Sequence, residues 1–499
     1  MNPLKKLAGQ TAVYGMSTIF GRLLTYALTP FYTYIFGHPA DFGINTEFYA
    51  YMSFLNVFFT YGMETGLFNF SVSEQNKGLV YSTALRSLFV STVLFTLPVI
   101  LFAGPIADVL RYPGHGEFVI WVILIVATDA LTAIPFAKLR EQNKAKRFAT
   151  VKLVNIAVNL LINFFLIGYC KWAYEHHPES FWGSFYNPAI GIGYAFVAQL
   201  IANCVSVLLL LPELVQVRSG FNWPLWKRMM GYSMPLLVVG LAGMTNETMD
   251  RILLKYLLPA DISEAQVGIY GACYKISILM TIFIQAFKYA AEPFFFAQQK
   301  EQDAHILYGR VLKYFLLFCL LIFLGTTLNL SWIQYFVGKR YRVGIPVVPI
   351  LLFANLCLGM YFNLSIWYKL TGRTRFGMWL TLFGALITLV LNFAWIPSQG
   401  YFHSYMGSAW ATLICYAVMM VLSYIFGQRY YHVKYDLPRL LMYTGLALAL
   451  FFAGYYFIST GKAATDLLLR NLLFIVFILV IFIVEKPGRL LRRTSRPTG

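Results

Sequence analysis

A few charges sit inside the apolar stretches of this 499-residue chain, among them Arg22, Glu64, Asp129, Glu247, Asp250, Arg251, Lys275, Lys288 and Glu292. A charge at the centre of a bilayer costs about 2.5–3.5 kcal/mol on insertion scales, so such groups face an inner cavity, a ligand path or a partner. Most cluster in two regions, 11–70 and 229–292. Glu247 and Arg251 are four apart, as are Lys288 and Glu292, a spacing that suits internal ion pairs on a helix. Arg22 has no acidic neighbour at helical spacing and must find a partner on another helix, water or an anionic ligand. Arg22, Arg251, Lys275 and Lys288 are therefore the candidate substrate-binding cations, although Lys275 is also placed to snorkel to the interface. Glu64 and Glu292 stand near helix ends as candidate gate contacts. Asp129 and Asp250 are candidates for a coupling cation or proton.

Polar residues recur around these charges every three or four positions, which places them on single helix faces. One stripe runs through Thr18, Arg22 and Thr25, and a second through Asn56, Thr60 and Glu64. A third holds Gln285, Lys288 and Glu292, and a fourth Asn155, Asn159 and Asn163. Thr18, Thr25, Asn56, Thr60, Gln285 and Asn159 are expected to line a hydrated cavity. The competing expectation is polar contact between helices, worth about 0.6–2 kcal/mol per bond.

The elements that carry these stripes must cross a membrane. The chain is 59% hydrophobic and 12% charged, and it reads as about fourteen apolar stretches of near 20 residues, each long enough to span a bilayer. The expected spans are 11–36, 44–70, 79–103, 117–137, 148–170, 188–212, 229–258, 266–292, 306–327, 346–368, 377–397, 401–427, 439–458 and 466–485. The fold class is thus all-α integral membrane. The first span is too long for a cleaved signal core. A net charge of +18 would suggest nucleic acid in a soluble protein. Here the basic residues concentrate in alternate loops, which excludes that reading and places both termini in the cytoplasm. Lys339, Arg340 and Arg342 break the bias as an outer cluster. The six cysteines stand singly, with no metal-ligand spacing, so no metal or disulfide framework is expected.

The chain also repeats itself. Pro39-Ala-Asp with Phe42-Gly43-Ile44 recurs as Pro259-Ala-Asp with Val267-Gly268-Ile269. Tyr61-x-x-Glu64 recurs as Tyr289-x-x-Glu292. Asn163 followed by Gly191-x-Gly-x-Ala195 recurs as Asn392 followed by Gly407-x-x-x-Ala411. Six helices separate the copies, so the repeat is parallel, with an axis along the membrane normal. This predicts two pseudo-symmetric six-helix lobes at 1–215 and 216–430, then two additional helices and a basic cytoplasmic tail at 431–499. Pro235, Gly240 and Gly243 mark the seventh span for bending.

Several ordered motifs carry a family resemblance. They are Leu4-Lys-Lys-Leu-Ala through Tyr14-Gly, Pro30-Phe-Tyr, Tyr61-Gly-Met-Glu64-x-Gly-Leu-Phe68, Asp250-Arg251, Val267-Gly-Ile-Tyr270, Ala286-Phe287, and Leu391-Asn392 through Pro397. Together they resemble O-antigen (Wzx-type) polysaccharide flippases of the multidrug, oligosaccharidyl-lipid and polysaccharide exporter superfamily. The resemblance implies a central cationic cavity and translocation of a polyprenyl-pyrophosphate-linked oligosaccharide from the inner to the outer leaflet. It implies a bacterial cytoplasmic membrane location, with membrane lipids and other polysaccharide-assembly proteins as partners. No cofactor is expected, and coupling to membrane potential, Na+ or H+ is left open.

Two rival readings remain. A multidrug cation antiporter of the same superfamily would favour acids over the four cations in its cavity. A membrane polymerase or ligase would need catalytic groups in a sizeable outer loop, and the longest outer loops, 171–187 and 328–345, are short. No nucleotide-binding loop is present. The chain is expected not to be an enzyme.

Overall fold

The computed structural model describes residues 19–21, 23–215, 220–298 and 304–485. Among these the chain is helical throughout, with no strand. The helices in order are α1 (Leu28–Ile35), α2 (Pro39–Thr60), α3 (Met63–Ser73), α4 (Lys77–Leu101), α5 (Gly116–Glu141), α6 (Ala145–Asn163), α7 (Tyr194–Leu209) and α8 (Trp223–Leu257). They continue with α9 (Ala260–Ile276), α10 (Ile278–Gln298), α11 (Ala304–Thr327), α12 (Val347–Leu364), α13 (Arg375–Trp395), α14 (Tyr405–Tyr430), α15 (Leu437–Phe452) and α16 (Ala463–Glu485). Among the described residues ten helical segments are long and apolar enough to cross a bilayer, or eleven when α9 and the start of α10 count as one broken span. This is a multi-pass membrane protein. Of the fourteen expected spans, 11–36 falls largely outside the described residues, whereas 44–70 and 229–258 lie on the more polar α2–α3 and α8.

The chain forms two compact units, one of residues Met1–Lys275, Val337–Gly344 and Arg375–Cys415, the other of Ile276–Phe336, Ile345–Thr374 and Tyr416–Gly499. Contact density therefore groups helices differently from the lobes expected at 1–215 and 216–430.

In the first unit, α2 and α9 meet backbone to backbone. A Cβ on Gly43 would overlap the carbonyl of Glu264, and a Cβ on Gly268 would overlap the carbonyl of Pro39. Each glycine thus sits over the residue four positions before the other. These are the glycines of the two Gly-Ile phrases, so the sequence repeat is also a reciprocal contact. A second repeated feature behaves alike in both copies. Asn163 Nδ2 donates to the Asn159 carbonyl at 2.8 Å, and Asn392 Nδ2 to the Thr388 carbonyl at 2.7 Å. Their amide oxygens then accept from Tyr32 at 2.6 Å and from Ser408 at 2.9 Å.

Two residues in left-handed conformation, Tyr61 (φ 33°) and Gly62 (φ 71°), break the chain between α2 and α3. Gly62 faces Ser233 and Leu236 of α8, beside Pro235, so both helix irregularities meet at one level. Pro235 lies inside a continuous 35-residue α8. Gly240 permits close approach of Val57, whereas nothing lies within 4 Å of a Cβ at Gly243.

Outside the spans, Glu213 is fixed by a two-pronged ion pair with Arg147, at 2.6 and 2.9 Å. The guanidinium beside it holds the Glu213 carboxyl below the usual glutamate range.

In the second unit, α15 and α16 attach to α11. Asn329 and Asn471 exchange amide hydrogen bonds, and Glu485 accepts from Lys313 and from Tyr443. Lys313, read as a loop cation, is instead a buried partner of the last helix.

Two outcomes test this packing. Gly268→Val should drive α2 from α9 and destabilise the protein by about 1–3 kcal/mol or more, seen as a lower unfolding temperature in detergent. Glu213→Gln should cost about 1 kcal/mol at neutral pH, the partly exposed pair being screened by solvent. Because the folded-state pKa is depressed, that cost should fade as pH falls below the ordinary glutamate value and through the folded one. Thermal melts of both proteins across pH 3–7 check it.

Candidate functional site

Among the described residues Lys255, at the end of α8, is a fully buried charge, 1% exposed. Its ammonium lies 2.9 Å from Glu47 of α2 and 3.4 Å from Glu264 of α9, and 3.4 Å from the Tyr112 ring centre. Glu47 is also 1% exposed and takes two further donors, Tyr112 at 2.5 Å and Tyr51 at 2.7 Å. Tyr51 in turn contacts the Tyr256 hydroxyl at 2.9 Å. Arg111 caps the end of α8 by donating to the Lys255 carbonyl at 3.1 Å. Tyr112 lies in the turn before α5, and burial together with Glu47 holds its phenol above the usual range, so it remains a donor. A buried carboxylate facing one ammonium and two hydroxyls is fully satisfied. The network ties α2, α8 and α9 beside the Gly43–Gly268 crossing. It is a charge lock at one end of the helices.

The sequence reading assigned Lys255 to a loop and did not select Glu47. The available signal was an acid in the 44–70 span with Tyr51 one turn later, pointing at the same place as Lys255.

The cations of the 339–342 cluster are also engaged within the protein. Arg342 donates to the Val337 carbonyl at 3.2 Å and to Tyr34 at 3.2 Å, and Arg340 reaches the Gly37 carbonyl at 3.4 Å. Tyr341 between them is fully buried and donates to the Phe36 and His38 carbonyls. Arg340 thus caps the turn between α1 and α2, while Arg342 ties its own segment to Tyr34 of α1.

The candidate substrate cations separate into different environments. Arg251 is 8% exposed. Its guanidinium donates to the Glu247 carbonyl at 2.7 Å, pairs with Asp250 at 3.4 Å and stacks 4.3 Å from the Tyr274 ring centre. The expected side-chain pair with Glu247 is replaced by Asp250, and Glu247 is exposed. Asp250 also accepts from Tyr270 at 2.6 Å. Lys275 is half-buried over the Tyr26 ring at 5.2 Å. Lys288, in the second unit, is exposed and lies over Phe362 at 4.6 Å. It lines a shallow cleft of about 20 Å³ with Asn363 and a further cation, Lys369. Arg22 and Thr18 lie outside the described residues, and so does the side chain of Glu292.

Of the candidate gate and coupling acids, Glu64 pairs with Arg140. Asp129 accepts from Asn203 at 2.9 Å and is hydrogen-bonded by Asn56, with Lys152 nearby. No group of three His, Cys, Asp or Glu among the described residues is arranged to hold a metal. Asn159 is buried and donates to Gln199 at 2.9 Å, so it acts here as a contact between helices. Thr25 and Thr60 each donate to the carbonyl one turn back. Gln285 is half-buried.

Removing one member of the charge lock isolates a buried ion. Lys255→Met should destabilise the protein by about 3–5 kcal/mol, and adding Glu47→Gln should recover most of that loss. Detergent unfolding of the single and double variants is the check.

Comparison with known proteins places this geometry. Residues 7–299 match the family model described as "Polysaccharide biosynthesis protein". No curated protein matches significantly. Among solved structures, a lipid II flippase, MurJ, in an inward closed conformation is similar at a TM-score of 0.70 and 14% identity, covering 95% of this chain and 99% of its own. A multidrug resistance MATE transporter in an inward-facing conformation gives 0.63 at 12% identity, covering 84% and 94%. A Vibrio cholerae MATE transporter gives 0.57 at 13% identity, covering 85% and 97%. These likenesses concern the fold; the family match spans more than half of the sequence, and the chain belongs to the polysaccharide biosynthesis protein family.

Proposed function

We propose that this protein is a flippase that moves a polyprenyl-pyrophosphate-linked oligosaccharide from the inner to the outer leaflet of the bacterial cytoplasmic membrane by alternating access. The observation that carries this reading is membership of a polysaccharide biosynthesis family on a fold shared with a lipid II flippase over 95% of the chain. No bond need be made or broken, so the chain is not an enzyme. Its two six-helix lobes, 1–215 and 216–430, derive from the internal repeat, and 431–499 adds two helices.

Arginine forks match pyrophosphate oxygens, and a lysine supplies a point charge. Arg22, Arg251, Lys275 and Lys288 are the headgroup contacts. Arg251 is held by Asp250 and Tyr274 in this conformation, so its release accompanies substrate capture. Asp250 and Asp129 are then the acids whose partners change, which suits coupling to a cation, a proton or the membrane potential. The potential is worth about 2.3 kcal/mol per charge per 100 mV. With both termini cytoplasmic, the Lys255–Glu47–Glu264 lock closes the outer end, and the Glu64–Arg140 pair lies toward the inner end.

A second reading, a cation antiporter, draws on the exposed Glu247 beside a neutralised Arg251 and on the MATE-like fold. One assay separates the two. Cells lacking the protein should accumulate lipid-linked oligosaccharide in the inner leaflet. The wild-type chain should restore outer-leaflet access, and Arg22→Ala with Arg251→Ala should not, while inserting normally. Normal translocation without the protein, together with lost efflux of a lipophilic cation, would transfer the assignment to the antiporter.

A further inference from the structure

A groove of about 920 Å³ opens in the first unit between α4 and α8. Its walls are apolar: Phe89, Leu94 and Phe95 on one side, Trp223, Met230 and Met234 on the other. Phe89, Leu94, Trp223 and Met234 are all substantially exposed, so the groove is open. Such side chains are ordinary where they face lipid. The unusual member is Arg86.

Arg86 lines the groove, is exposed, and sits within the apolar helix α4. Among the described residues no carboxylate, carbonyl or hydroxyl bonds to it. Every other arginine discussed above that bonds within the protein does so through a carboxylate or a carbonyl. Counting from Lys77 at 1.5 Å per residue, Arg86 lies about 13 Å along the helix. A guanidinium carried on an apolar helix face turns to the headgroup region or meets an anion.

The neighbouring tryptophans set the level. Trp223 and Trp226 stack at 4.6 Å, and Trp226 donates to Ser87, the residue after Arg86, at 2.7 Å. Paired indoles of this kind mark a membrane–water interface. The groove runs from there towards Phe95, about 13 Å further along α4. It therefore has a cationic mouth at interface depth and an apolar channel leading into the hydrocarbon. An anionic head with one long chain fits both parts at once.

The groove also touches the break between α2 and α3. Tyr61, the left-handed residue between α2 and α3, lines its wall and bonds Ser87 at 2.8 Å. Met234 lies next to Pro235 of α8. A chain seated here contacts the two points at which these helices depart from regular geometry.

We infer that this groove is a docking site for the phosphorylated polyprenyl carrier of the transported lipid, with phosphate on Arg86 and chain along Phe89–Phe95. This deepens the flippase reading and rests on it. The site is lateral and precedes capture by the headgroup cations.

The test uses the full-length protein in detergent, with farnesyl phosphate as the probe and tryptophan fluorescence as the readout. Farnesyl phosphate should change the emission saturably, and Arg86→Gln should weaken its binding at least tenfold. Farnesol, lacking the phosphate, should bind weakly and equally to both proteins. Leu94→Trp, which fills an exposed part of the groove, should block both ligands while leaving the melting temperature unchanged. Unaltered farnesyl phosphate binding in Arg86→Gln overturns the proposal. Equal competition by phosphatidylglycerol overturns it as well, since the groove would then be a general anionic-lipid site, and competition by inorganic phosphate alone removes the role of the chain. In cells, Arg86→Gln should slow appearance of lipid-linked oligosaccharide in the outer leaflet. Normal export by a variant that has lost probe binding refutes the docking role and leaves the flippase intact. Intact probe binding in a protein that moves no oligosaccharide refutes the flippase instead.

Discussion

Inside a bilayer a polar group has little water to fall back on, and a buried charge has to be answered by another part of the protein. This constraint explains most of what the structure does with its charges. Glu47 is answered by Lys255 and two tyrosines, Asp250 by Arg251 and Tyr270, and Asp129 by Asn203 and Asn56. The amides of α6 and α7 form a similar chain, with Asn155 and Asn159 donating to Asn203 and Gln199. Burying an ion is expensive, and a well-bonded pair often does little more than break even. Such pairs are better understood as devices that specify one arrangement of helices, and that can be exchanged for another when partners change.

The fold class was legible because a membrane helix writes its length directly into the sequence. The paired phrases of the sequence fall at places with similar local demands. Gly43 and Gly268 meet where no side chain fits, and Asn163 and Asn392 each brace the turn behind them, so the same residue answers the same local demand twice. The site was less accessible. Helical spacing predicted Glu247 as the partner of Arg251, but the chain turns the guanidinium towards the adjacent Asp250 and the Tyr274 ring. Spacing along one helix cannot register competition from another helix. Lys255 and Lys313 looked like loop charges because they lie near span ends. Their partners, Glu47 and Glu485, are hundreds or more than a hundred positions away, and only folding unites them. Arg86 was hidden by the apolar run around it.

The departures from the positive-inside pattern have a common physical origin. Arg111, Arg340, Arg342 and Lys171 each donate to a backbone carbonyl at a helix end or turn. The last carbonyls of a helix lack partners within it, and cations there also complement the helix dipole. These residues do not form a free positive surface. They finish helices where the chain turns back.

The crossing of Gly43 with Gly268 carries a consequence for how such a chain can change over generations. Each glycine occupies the space that the other's neighbourhood leaves vacant, so neither position can accept a side chain unless the opposite half yields. The segments around these two glycines are free to differ elsewhere, in their loops and in the acids and bases they present. At this point they remain twins by necessity, and any innovation must begin outside it.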